Sequence, residues 1–85
     1  SFSNTAIAFE GIDLYNYANS WGGISASCYG FHILGFPKED SKKLFNVYYE
    51  LAKESKNKEI YETIKENMYD KNGPMYKPCK ELYPE

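Results

Sequence analysis

Apolar residues recur at helical spacing in the second half of the chain. Between Asp40 and Ser55 they fall three and four residues apart, which places them on one face of an α-helix. They are Leu44, Phe45, Tyr48, Leu51 and Ala52, with Val47 and Tyr49 widening the stripe. Pro37, Glu39 and Asp40 suit the start of this helix, because acidic side chains are favourable at the positive end of its dipole.

A second helix is predicted directly after a short break. Asn57 is a suitable N-cap, and the apolar stripe that follows it consists of Ile60, Tyr61, Ile64 and Met68. The sequence Asn72-Gly73-Pro74 predicts the end of this helix, because glycine accepts the left-handed cap conformation and proline cannot continue a helix. The short connection predicts that the two helices form an antiparallel hairpin.

The first half of the chain has a weaker pattern. Residues 4–21 fit an amphipathic helix capped by Ser3 or Asn4, with a break predicted at Gly22-Gly23. Residues 24–36 fit either a helix or a strand. The helix is favoured, because a lone strand has no partner with which to pair.

These elements predict one domain over residues 1–85, because the length allows no second core. The predicted fold is all-α, a small four-helix arrangement in which the third and fourth helices form the hairpin. A C-terminal tail would be attached by one disulfide. The alternative is an α+β fold with residues 24–36 as a strand.

The two cysteines, Cys28 and Cys79, lie 51 positions apart and form no CxxC motif. We expect one disulfide between them, because a core this small benefits from a covalent link. The alternatives are two buried free thiols and a disulfide bridge between two chains. A disulfide would contribute roughly 4 kcal/mol on the chain-entropy model. It would also imply an oxidising compartment, so a secreted or extracellular location is expected.

Charge is distributed unevenly along this chain of net charge −2. Residues 1–37 carry only Glu10 and Asp13, and all ten lysines lie further on. Near-neutrality argues against a nucleic-acid partner, which requires a basic face. Residues 14–37 carry no charged side chain, but glycine and polar residues interrupt them, so no transmembrane segment is predicted.

Fifteen aromatic residues exceed what a core of this size needs. Tyrosine and tryptophan are common anchors of binding surfaces, which favours a non-catalytic binding protein with a charge-poor aromatic contact surface for a protein partner. The alternative is a carrier of a small hydrophobic or aromatic ligand in an internal cavity. The single His32 and the paired thiols disfavour an enzyme, and no metal or cofactor is expected. The candidate binding residues are Tyr15, Tyr17, Trp21, Tyr29 and Phe31.

Overall fold

The computed structural model describes residues 9–84, and its regular secondary structure there consists of four α-helices. Their bounds are Ile12–His32 for α1, Lys38–Lys53 for α2, Lys58–Tyr69 for α3 and Tyr76–Cys79 for α4. The predicted all-α, four-helix fold is therefore confirmed. The predicted hairpin corresponds to α2 and α3, which are joined by residues 54–57.

The helix α1 passes through Gly22 and Gly23 without interruption, so the predicted break is wrong. The alternative strand over residues 24–36 is wrong as well, because residues 24–32 are α-helical. Ile24 and Cys28 lie four residues apart on one face of α1, and both are fully buried. Gly23 has a packing role: a Cβ atom there would overlap the Tyr48 ring of α2. The glycine allows α1 and α2 to approach closely.

The start of α1 is fixed by a long-range hydrogen bond. The side-chain amide of Asn57 donates to Asp13 Oδ2 at 3.1 Å, which joins the first turn of α1 to the residue that precedes α3. Within the described part of the chain the first helix begins at Ile12, after Gly11 with a φ of 57°. The predicted caps Ser3 and Asn4 lie outside the described residues.

The two ends of α3 differ in how well the sequence indicates them. Asn57 caps the start as predicted, with its side chain accepting from the Glu59 N–H at 3.0 Å. The helix ends at Tyr69, where Asp70 turns to an extended conformation and accepts from the Asn72 N–H. Among residues 9–84 positive φ occurs only at Gly11 and Gly35, so the predicted left-handed cap at Gly73 is wrong.

The core lies between α1, the hairpin and the tail. The predicted disulfide is confirmed: Cys28 of α1 is bonded to Cys79 of α4, with their Cα atoms 4.8 Å apart. The tail is fixed further by the Tyr83 hydroxyl, which donates to the Met68 carbonyl. The pKa of Tyr83 is raised to about 12, mainly by burial. The buried apolar residues are Ile24, Cys28, Phe45, Tyr49, Ala52, Ile60, Ile64, Met68, Met75, Cys79 and Leu82.

Two glycine substitutions separate helix propensity from packing. We expect Gly23→Ala to lower the free energy of unfolding by about 1–3 kcal/mol, because the added methyl group displaces Tyr48. The control, Gly22→Ala, has no atom within 4 Å of its added Cβ. It should raise stability by up to about 1 kcal/mol, because alanine favours a helix interior. Urea unfolding measures both, and equal effects at the two positions would contradict the close contact.

Reduction of the disulfide should lower the free energy of unfolding by about 4 kcal/mol, because the open chain gains conformational entropy when it unfolds. Urea titrations of the oxidised and reduced protein give this difference directly. The Cys28→Ala/Cys79→Ala variant is the control and should not respond to the reductant. If the reduced wild type unfolded at the same urea concentration as the oxidised protein, the cross-link would not restrict the conformational entropy of the unfolded chain.

Candidate functional site

The side of the molecule formed by α1 and α2 exposes many large apolar side chains. Ile12 is 70% exposed, Leu34 is 68% exposed and Val47 is 61% exposed. We name this region the α1–α2 surface. Its members that line grooves between the two helices are Ile12, Ala26, Phe36, Leu44 and Leu51. We include the exposed Tyr15 and Val47, which lie one helical turn from Ile12 and Leu44, and Ile33 and Leu34 of the connection.

Two grooves connect these side chains along the line where the helices meet. Ala26, Phe36 and Leu44 line a groove of about 390 Å³ near the end of α1. Ile12 and Leu51 line a second groove, of about 460 Å³, near the start of α1. The contact of the two helices at Gly23 lies between them, so the α1–α2 surface runs along much of α1.

Ionisable side chains also line these two grooves. In the groove beside Phe36 the charged lining residue is Asp40. In the other groove they are Asp13, Glu54 and Lys56. On the surface as a whole the large apolar side chains outnumber these charged ones, which is typical of protein–protein interfaces, whose buried centre is depleted of charge.

The connection between α1 and α2 contributes three apolar side chains in five residues. Gly35 has a φ of 76°, which reverses the chain after α1 and lets the Phe36 N–H donate to the Gly30 carbonyl at 2.9 Å. The Phe36 ring then covers Gly30, where an added Cβ would lie 2.9 Å from it. Backbone geometry therefore positions Phe36, although its side chain is still 56% exposed.

The five residues that the sequence indicates for binding do not form one patch. Tyr15 and Tyr29 are exposed, whereas Tyr17, Trp21 and Phe31 are partly buried and pack against the core. Burial raises the pKa of Tyr17, whose ring also lies 5.1 Å from that of Phe9. Tyr15 belongs to the α1–α2 surface, and the role of all five in binding stays a prediction.

Trp21 and Tyr29 line a separate cleft on another side of α1, which we name the Trp21 cleft. Its volume is about 380 Å³, and it is open to solvent. The opposite wall comes from the end of α3 and from the residues before α4. The lining residues are Trp21, Ser25, Tyr29, Asn67, Asp70, Gly73, Pro74 and Met75.

Sequence reasoning assigned Leu44, Val47 and Leu51 to the stripe that α2 buries, yet all three are exposed. The signal that indicates their exposure is the width of that stripe. Apolar residues from Leu44 to Ala52 span about 200° of the helix, slightly more than half of its circumference, whereas a surface helix packs one face. The exposure of Ile33 and Phe36 also has a signal in the sequence. Both lie close to Gly35 in a short connection, where large apolar residues are unusual.

The structure limits the chemistry of the other candidate groups. Cys28 and Cys79 are bonded to each other, so neither is available as a free thiolate. Within residues 9–84, no cluster of three or more histidine, cysteine or acidic residues could hold a metal ion. None of the described helices is long and apolar enough to cross a membrane.

Comparison with known proteins found no matching family model, no matching curated protein and no matching solved structure.

Proposed function

We propose that this chain is a small secreted, non-catalytic binding protein that contacts a protein partner through the α1–α2 surface. The supporting observation is the number of large apolar side chains exposed on it. Eight of them are between 40% and 70% exposed, from Leu51 to Ile12. Extended apolar patches on a soluble protein mark protein–protein interaction sites.

The shape of this surface favours an amphipathic helix as the bound element. Two grooves follow the line between α1 and α2, with Phe36 and Leu44 at one end and Ile12 and Leu51 at the other. A helix presents apolar side chains at positions i, i+3 or i+4, and i+7, which can fill such grooves in turn. The charged residues that line the grooves would contact the polar sides of that helix.

The disulfide is consistent with an extracellular location, since such bonds persist in oxidising environments. It supports secretion as part of the proposal. The second candidate function, a carrier of a hydrophobic ligand, has weaker support. The three clefts described above are open to solvent, whereas a ligand site usually covers most of its ligand.

Selection of peptides from a random display library on the purified protein tests the proposal. We expect the enriched peptides to be amphipathic helices. Their affinity should fall at least about tenfold for the Leu44→Lys/Val47→Lys variant, because lysine places a charge at an apolar contact. Leu14→Lys is the matched control. Leu14 is also about half exposed, but it lies nine residues from Gly23 and thus on the opposite side of α1 from α2.

Isothermal titration of the selected peptides measures these affinities, and circular dichroism verifies that each variant is folded. Peptides that bind the double variant as tightly as the wild type would contradict the proposal. So would the absence of any enriched peptide. Sedimentation of the protein alone identifies the case in which the partner is a second copy of the chain.

A further inference from the structure

The Trp21 cleft contains two aromatic side chains, whereas each groove of the α1–α2 surface contains at most one. Two aromatic side chains of α1, Trp21 and Tyr29, form one wall. The other wall carries Asp70, which is the only side chain among the eight lining residues that is charged at neutral pH. The cleft therefore combines aromatic rings with one negative charge and has no lining cation.

The carboxylate of Asp70 retains hydrogen-bonding capacity. Its Oδ1 atom accepts from the Asn72 N–H at 3.0 Å. Within the described residues no lysine forms an ion pair with Asp70. A carboxylate can accept about four hydrogen bonds, so Oδ2 is available to a donor from outside the chain.

Gly73 leaves this carboxylate uncovered. Its φ is not positive, so the backbone at this position does not require glycine. A Cβ atom there would lie 3.2 Å from Asp70 Oδ2, in closer contact than side chains usually make. The missing side chain therefore keeps the space beside the carboxylate open.

We propose that the Trp21 cleft binds a small organic amine. The ammonium group donates to Asp70 Oδ2 and lies near the Trp21 and Tyr29 rings, whose negative faces attract cations. The apolar part of the ligand packs against Pro74 and Met75. A volume of about 380 Å³ is near the lower end for ligand sites, which suits an amine with a single ring.

Fluorescence provides a direct test, because Trp21 is the only tryptophan of the chain. Titration with phenethylamine should change the emission of Trp21 saturably, with a Kd below about 1 mM. The carboxylate of similar size, 3-phenylpropionate, should give no saturable change, because Asp70 repels it. Methylammonium chloride controls for ionic strength and should bind much more weakly, because it lacks the ring.

Variants of the cleft identify which groups carry the binding. Asp70→Asn should weaken phenethylamine binding at least about fivefold, because it removes the charge while keeping a carbonyl oxygen for the Asn72 N–H. Gly73→Ala should weaken it without any change of charge. Glu50→Gln, on α2 and outside both proposed sites, removes a carboxylate that pairs with Lys53. It is the control and should leave the affinity unchanged.

Three results would overturn the amine site. They are the absence of a saturable change up to about 10 mM phenethylamine, equal binding of 3-phenylpropionate, and unchanged affinity in a folded Asp70→Asn variant. None of them bears on the α1–α2 surface, whose test uses different ligands and different residues.

Discussion

The disulfide between Cys28 and Cys79 fixes α1 against the tail, and the distribution of buried and exposed surface depends on this link. With α4 and the hairpin on the inner side of α1, its buried residues form a narrow stripe that includes Ser20, Ile24 and Cys28. The described chain places no further element over the outer side of α1. Apolar residues on that side, such as Tyr15 and Ile33, are therefore exposed to solvent.

The close approach of α1 and α2 has a similar consequence for α2. Gly23 lets the Tyr48 ring lie directly on α1, while Ser27 bonds back to the Gly23 carbonyl at 2.8 Å and adds little bulk. Small residues on α1 let the two helices approach closely. The contact between them is therefore shallow and does not cover the whole apolar stripe of α2. Leu44 and Leu51 consequently lie at the edges of the contact, where they line the grooves. The same packing that stabilises the fold thus produces the proposed contact surface.

Sequence reasoning succeeded where local chemistry decides the structure. The stripes of α2 and α3, the Asn57 cap and the disulfide follow from spacing, capping preference and the small core. It failed where a tertiary contact overrides local preference: Gly22-Gly23 is typical of a break, but packing against Tyr48 keeps α1 continuous. The proposed contact surface was only partly predictable. Charge depletion indicated α1 and its connection to α2, which contribute part of that surface. Which side of α1 is covered, and which α2 residues are exposed, depends on how α2 and α4 pack.

The central claim is that the apolar side formed by α1 and α2 is a contact surface. Mapping of amide chemical shifts by NMR tests this claim most directly. The isotope-labelled protein would be titrated with a bound peptide or partner. We expect the perturbed amides to cluster at Ala26, Phe36 and Leu44 and to continue along α1 towards Ile12. Perturbations confined to α3, or to the tail around Tyr83, would contradict the claim.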